Sequence, residues 1–446
     1  MKLLFLIIIS IIVLALYIYF NGGISSGNEI EFLTNRTDFI HGSQTVSGAK
    51  NPETAYFTIL AEKFKKKTGI TVKLTGYSDY TVAMKRRLAS QKYGDVITLP
   101  DSNFNPATIT TFFKPLGTKK QLSNFYFLNN CAVGDKVYGL SEAYYFSAIV
   151  YNKKVFASVG YKTFPKTLEQ LHDAFRKIKA EGKIPVILNR GANWPLGRIK
   201  IFSDNFDGKA SSFNKMWMHN NPFSRDYPIG RAIYETALWV HNGWTEPEFL
   251  HNCWDESITQ IAEGSAGMIM IGTWALPQVQ ERTLLIKGAE PDDIGFAPIP
   301  QTSPKLGTYI LAGAGNPMVI SKKTKNFKAC KEWIYAIINS GIFANQGGLP
   351  INRDNKKINK EFIYIFNEIH TGKLIRLNDP PITEYDGFRT VTLLKDMNVY
   401  TNFKYIGNAL DKARISMEAY ENYVNKLNRE FNEAKTNRGY TNNDKM

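Results

Sequence analysis

The polar side chains best placed for chemistry stand just beyond short stretches that read as strands. Asn35-Arg36-Thr37-Asp38 follows Glu29 to Leu33, Asp79 follows Ile70 to Leu74, and Asp101-Ser102-Asn103 follows Asp95 to Leu99. If these stretches are parallel strands, their carboxyl ends are where an α/β protein binds its ligand. The groups offered are a guanidinium, carboxylates, a hydroxyl and an amide, a set of donors and acceptors suited to charge-assisted hydrogen bonds. Arg36 and Asp38 are placed either to pair with each other or to reach ligand hydroxyls. The 101–103 stretch reads either as a ligand-contacting loop or as an ordinary turn. Groups for covalent chemistry are not evident: the six histidines are dispersed with no H-x-x-x-H pair, and no G-x-S-x-G, Walker loop or G-x-G-x-x-G occurs. The expected chemistry is therefore reversible binding, with no catalytic residue, metal or cofactor.

The elements that position these residues alternate. Pro52 to Thr68 carries apolar residues at helical spacing, with Pro in the first turn and Gly69 at its end. Thr81 to Gln91 reads as a helix between the second and third strands. The alternation repeats with a strand at Phe146 to Tyr151, a helix at Leu168 to Glu181 capped by Thr167, and a strand at Ile184 to Leu188. Further helices are expected at Tyr234 to His241, Ser257 to Glu263, Lys328 to Asn339 and Ala409 to Lys435, with a short buried strand at Met268 to Ile271. The pattern predicts parallel α/β sheets, and 446 residues exceed one ordinary core.

Composition narrows the function. Hydrophobic residues make up 43 % and charged residues 21 %, an ordinary globular balance. The net charge is +15, but its runs, Lys65-Lys66-Lys67 and Lys85-Arg86-Arg87, fall on helices beside apolar residues and read as solvated faces. No zinc spacing or RNA-binding signature accompanies them, so nucleic acid is not an expected partner. Cys131, Cys253 and Cys330 lie far apart with no C-x-x-C, and read as free buried thiols. Leu3 to Phe20 is an apolar run broken only by Ser10, preceded by Lys2 and followed by an uncharged Gly/Ser stretch. Its length and flanking charge predict an exported chain, tethered to the membrane through residues 3–20 or released by cleavage.

Several ordered stretches resemble one family. They are Lys136-Val-Tyr-Gly-Leu140, Tyr151-Asn-Lys-Lys-Val-Phe156, Phe164-Pro-Lys-Thr-Leu168, Gly182-Lys-Ile-Pro185, Ala262-Glu-Gly-Ser-Ala-Gly-Met268 with Gly272-Thr-Trp274, Asp293-Ile-Gly-Phe-Ala-Pro298, and Gly313-Ala-Gly-Asn-Pro-Met-Val-Ile-Ser321. Together, over roughly residues 29 to 430, they resemble the extracellular solute-binding proteins of bacterial carbohydrate ABC transporters (family 1, maltose-binding-protein-like). The resemblance implies an α/β, two-lobed periplasmic-binding-protein fold, type II-like, with hinge segments, here preceded by an N-terminal hydrophobic helix. It places crossings near Tyr144 to Ser147, Gly307 to Tyr309 and Leu349 to Asn352. Residues 1–28 are then anchor and linker, 29–144 plus 309–350 one lobe, and 145–308 plus 351–440 the other. Members of the family often carry a lipid-attachment cysteine after the signal; no cysteine precedes Cys131 here, which favours the transmembrane tether.

The same resemblance implies a carbohydrate ligand, ABC transporter permease subunits as partners, and an extracellular location. It implies that Trp274 stacks on sugar, that Trp194 is a further site aromatic and that Asn189 offers its amide. It also implies a ligand contact at Tyr145, with Tyr144 and Glu142 beside it as substitutes. Tyr309 and the late pair Tyr385 and Phe388 complete the set. Trp217, Trp239, Trp244, Trp254 and Trp333 read as packing residues. A sensor presenting sugar to a signalling kinase is the alternative within the same fold. A secreted glycosidase would need two carboxylates flanking the sugar, and no such pair is evident.

Overall fold

The structure is a computed structural model that describes residues 28–42, 52–77, 79–99, 106–300, 302, 307–378 and 385–440. The apolar run 3–20, Asp101, Ser102, Asn103 and the side chain of Tyr385 lie outside what is described. Among the described residues no helix is long and apolar enough to cross a membrane.

Two six-stranded sheets organise the chain. In the first, Glu29–Thr34 lies between Thr71–Gly76 and Val96–Thr98, parallel to both. Pro317–Ser321 then runs antiparallel to Val96–Thr98, Phe113–Lys114 and Gly139–Ser141. Helix Phe327–Ser340 buries Ala329, Cys330, Trp333, Ile334, Ile337 and Ile338, a single stripe at helical spacing, against Phe32 and Phe64. On another face Tyr80, Met84 and Leu88 of helix Tyr80–Ala89 meet Leu33 and Ile97. The Tyr80 hydroxyl donates to the carbonyls of Leu33 (2.9 Å) and Thr98 (2.7 Å), tying that helix to the carboxyl ends of two strands.

The second sheet is built around Tyr144–Asn152, which runs antiparallel to Ala266–Gly272, Ile294–Ala297 and Thr308–Ala314. Ile184–Ile187 and Leu374–Asn378 complete it, each parallel to its neighbour. Helix Leu168–Ala180 packs on it with Leu171, Ala174, Phe175 and Ile178 buried, and the Thr167 hydroxyl accepts from Gln170 N as its cap. Both sheets are mixed, which corrects the expected parallel pattern. Alternation of strands and helices says that elements cross over, but not that the chain returns along its own neighbour.

The sheet-to-sheet passages are short. Glu142 and Ala143 lead from Gly139–Ser141 into the second sheet; Gly315 and Asn316 lead from Thr308–Ala314 back to the first. These passages bond to each other, Gly315 N to Ala143 O (2.8 Å) and Glu142 N to Asn316 O (3.2 Å). A third passage pairs Leu349 with Tyr144 through both backbone groups. Residues 308–314 belong to the second sheet, whereas 309 onward was expected with the first and the passage near Gly307 to Tyr309. Beside these passages the Arg376 guanidinium lies over the rings of Tyr144 (4.8 Å), Tyr126 (4.9 Å) and Phe127 (5.5 Å).

The long helix expected over Ala409 to Lys435 is two, Lys404–Ile415 and Met417–Asn437. Ser416 stands between them in extended backbone and its hydroxyl accepts from Ala419 N (3.0 Å), so a capping residue ends one helix and starts the next. The three cysteines are free and buried, as their spacing indicates.

Candidate ligand-binding site

Three tryptophans form one aromatic face. The ring centroids of Trp194 and Trp254 are 4.8 Å apart, those of Trp194 and Trp274 5.7 Å, and those of Trp254 and Trp274 5.4 Å. Trp194 is 41 % exposed and the other two are half-buried, so the face is open to a partner rather than sealed in a core.

Each indole is set by a different element. Trp274 follows the wholly buried strand Ala266–Gly272, and Thr273 N donates to Phe146 O (2.8 Å) in front of it. Gly264, at φ 82°, makes the turn from helix Trp254–Glu263 into that strand, so one helix–turn–strand unit carries both Trp254 and Trp274. Trp194 follows Asn193, whose backbone is left-handed at φ 63°. The turn is held from behind by Arg190, which bonds Asn193 Oδ1, Asp411 (2.7 Å) and Gly407 O (3.1 Å) on helix Lys404–Ile415.

A polar cluster lies at the first passage between the sheets. Arg36 makes a bidentate pair with Asp38, Nε to Oδ1 at 3.1 Å and Nη2 to Oδ2 at 2.8 Å, with its guanidinium 3.6 Å above the Phe39 ring. Burial disfavours the charged guanidinium, but the Asp38 bond and the charges of Asp38 and Glu142 outweigh it and raise the Arg36 pKa. Tyr145 bonds to Glu142; burial first, then the Glu142 charge, push its phenol far above the usual tyrosine range. Glu142 itself is buried. Of the two alternatives for Arg36 and Asp38, the structure shows the first: they pair with each other, with Asp38 partly exposed.

The loop after helix Phe327–Ser340 joins this cluster to the tryptophans. The Phe343 ring is 5.3 Å from Phe39 and 5.9 Å from the Arg36 guanidinium. Four residues on, a Cβ added to Gly347 would lie 2.1 Å from the Thr273 carbonyl oxygen and 2.8 Å from Trp274 Cα, and its φ is 68°. Only glycine fits both the backbone and the approach. Gly347→Ala is therefore expected to force this loop off the Trp274 corner. Stability should fall by more than about 1 kcal/mol, with weaker ligand binding, as thermal melting and calorimetry will show. Wild-type values in both would refute the close approach.

The remaining candidates are dispersed. Asp79 is exposed at the start of helix Tyr80–Ala89, making no side-chain cap. Tyr309 stands near the start of its strand with its phenol against Gly208, away from Gly313, which pairs with Tyr145. Tyr385 opens helix Tyr385–Asp396, and Phe388 in its first turn is 51 % exposed. Asn189 is fully buried, with Oδ1 accepting from Cys253 N (3.1 Å) at the head of the Trp254 helix. Tyr144 is buried beside Arg376. Trp254, read from sequence as a packing residue, packs on Trp194 and Trp274 and so stands in the same face. Its partner in sequence terms is Trp274, twenty positions on, and only the fold of the intervening helix and strand brings the rings together. Among the described residues no group of three or more His, Cys, Asp or Glu side chains is arranged to hold a metal.

Comparison with known proteins agrees with this architecture. The family model described as bacterial extracellular solute-binding protein matches residues 48–339, more than half of the chain. The chain belongs to that family. It is 26 % identical over 274 residues to the multiple sugar-binding protein of Streptococcus mutans, covering 59 % of this chain and 63 % of that relative's length. A mannobiose-bound binding protein of an ABC transporter from Bifidobacterium animalis subsp. lactis shares the fold at TM-score 0.74 and 23 % identity, over 92 % of this chain and 95 % of that one. A manno-oligosaccharide-specific solute-binding protein from the same organism, solved with mannotriose, superposes equally at 21 % identity, over 92 % and 96 %. These solved relatives give the chain a mixed α/β, two-lobed fold.

Proposed function

We propose that the chain is a sugar receptor that delivers an oligosaccharide to the permease subunits of an ATP-driven importer, from the extracellular face of the membrane. The observation that carries this is the open face of Trp194, Trp254 and Trp274, linked by the Phe343–Gly347 loop to the Arg36–Asp38–Glu142–Tyr145 cluster. A sugar ring presents an apolar C–H face and a rim of hydroxyls. Flat indoles cover the first with large area at small entropic cost. Ionised carboxylates and a guanidinium bond the second more strongly than neutral groups do.

In this reading Trp194, Trp254 and Trp274 stack on the ligand, while Asp38, Arg36, Glu142 and Tyr145 bond its hydroxyls. Asn189 acts from below by holding the Trp254 helix. Asp79, after the first-lobe strand Thr71–Gly76, contributes rim contacts, as do Asp101, Ser102 and Asn103, which lie outside the described residues; Phe388, with Tyr385 beside it in sequence, does so from the second lobe. Tyr309 packs against Gly208 rather than meeting sugar. Lobe boundaries follow the sheets, with passages at Glu142–Ala143, Gly315–Asn316 and Leu349–Asn352, and closure is a hinge motion about them. The apolar residues 3–20 tether the chain. The receptor performs no covalent chemistry.

Calorimetric titration with manno-oligosaccharides and other glucose- and galactose-based oligosaccharides tests the proposal, with recovery of the best ligand afterwards. Saturable binding and an unaltered sugar are expected. Absence of binding to any oligosaccharide, or a cleaved product, would refute it.

A further inference from the structure

We infer that the edge of the first sheet from which Asn28 emerges is a docking surface for an anionic lipid bilayer. The inference rests on the tether reading of residues 3–20 and adds an orientation to it.

The parallel strands Glu29–Thr34, Thr71–Gly76 and Val96–Thr98 all begin at this edge, and Pro317–Ser321 ends there, with Ser321 N donating to Asp95 O (2.9 Å). Asn28 O accepts from Thr71 N (2.6 Å), and Asn326 Nδ2 donates to Glu29 O (3.4 Å), so the start of the described chain is fastened to this rim. In a strand–helix alternation the helices run back toward the starts of the strands. Helix Tyr56–Thr68 therefore delivers Lys65, Lys66 and Lys67 to this edge, and helix Tyr80–Ala89 delivers Lys85 and Arg86, all exposed.

Those runs have an ordinary explanation, because cations favour helix C-termini. The next group does not. Lys322, Lys323, Lys325 and Lys328 are exposed on the same rim, at the end of Pro317–Ser321 and at the N-terminus of helix Phe327–Ser340, where the helix dipole disfavours positive charge. Among the described residues, Glu31 pairs on this rim with Arg87 (3.2 Å) and Lys73 (4.0 Å), and Lys323 donates to Gln91 O (3.1 Å), so no carboxylate pairs with Lys322, Lys325 or Lys328. Exposed carboxylates near them are Glu29 at the start of its strand, Glu62 one turn before Lys66 and Glu332 one turn beyond Lys328.

The chain outside the structure says which partner. Between the apolar run ending at Phe20 and Asn28 lies a short uncharged stretch, and covalent geometry limits its reach to about 25 Å. An apolar segment in a bilayer thus keeps the lysine rim near the lipid headgroups. Each lysine close to an anionic surface contributes about 1 kcal/mol, fading within a Debye length. Docking by this rim would turn the carboxyl ends of the first-sheet strands, and with them Arg36 and Asp38, away from the membrane.

Full-length protein in nanodiscs of phosphatidylglycerol or of phosphatidylcholine tests this, with lysine acylation rates read by mass spectrometry. Lys66, Lys322 and Lys325 should react at least about threefold more slowly on the anionic lipid, and about 0.5 M salt should remove the difference. Lys162 and Lys166, exposed on the second-sheet lobe, serve as references. The triple variant Lys322→Glu, Lys323→Glu, Lys325→Glu should abolish protection at Lys66 while still inserting. Equal rates on both lipids with the chain inserted would overturn the docking surface and leave the tether standing. If the chain fails to insert, the tether falls; protection on phosphatidylglycerol vesicles would then still support the rim, and none would overturn it. Protection by a soluble poly(glycerol phosphate) but by neither lipid would also overturn it.

Discussion

Replacing Trp274 by alanine is expected to weaken sugar binding roughly 30-fold, about 2 kcal/mol, while the protein stays folded. The indole sits at the head of helix Ala275–Thr283, half-buried, against the rings of Trp194 and Trp254, and Gly347 closes on its backbone at Cα. Truncation therefore removes one ring of the proposed ligand-stacking face and lets its two neighbours relax. Because part of the ring faces outward, the folded state loses less than it would at a sealed position. Trp194→Ala and Trp254→Ala should each weaken binding in the same direction, and the three effects should not add, since the rings touch. Calorimetry and thermal melting on the same variants separate the two quantities. Unchanged affinity with a steeply lowered melting temperature would make Trp274 a packing residue and would sink the proposed site.

Trp333→Ala is expected to do the opposite: to cost about 3–5 kcal/mol of stability and leave affinity intact below the melting transition. Trp333 is fully buried in the first core, edge-on to Phe32 (centroids 5.9 Å apart) and Phe64 (5.3 Å). Truncation leaves a cavity among rings that cannot collapse into it. The indole N–H has no hydrogen-bond partner, so Trp333→Phe sacrifices only volume and should be distinctly milder than alanine. Denaturant unfolding measures both. An alanine variant within about 1 kcal/mol of wild type would show that this helix is not anchored as described.

The contrast between these residues shows where sequence reading stops. Trp254 and Trp333 both begin or interrupt an amphipathic helix, and both read as packing residues. One faces a core of Phe side chains and the other faces two more indoles, and helical periodicity assigns the same spacing to either. Asn189 was expected to offer its amide to a ligand; the turn at φ 49° buries it and commits its oxygen to Cys253 N, while its Nδ2 makes no hydrogen bond within the protein, a position that no local pattern records. The place of Arg36 and Asp38 just past the first strand was legible because a short apolar run followed by polar residues marks a strand's carboxyl end, whichever sheet the strand joins.

What the sequence by itself determined is local: strand and helix starts, the Thr167 cap, the Gly69 stop, free cysteines, and the ordered motifs that indicate the family. Each of these depends on backbone preference or apolar spacing within a few residues. Tertiary structure alone decided the rest. It made both sheets mixed, placed Thr308–Ala314 in the second, broke the last helix at Ser416, and assembled Trp194, Trp254 and Trp274 from separate segments. Those outcomes depend on which distant strand supplies hydrogen bonds and which buried face finds a complement, and such choices are made between segments far apart in the chain, where no local spacing records them.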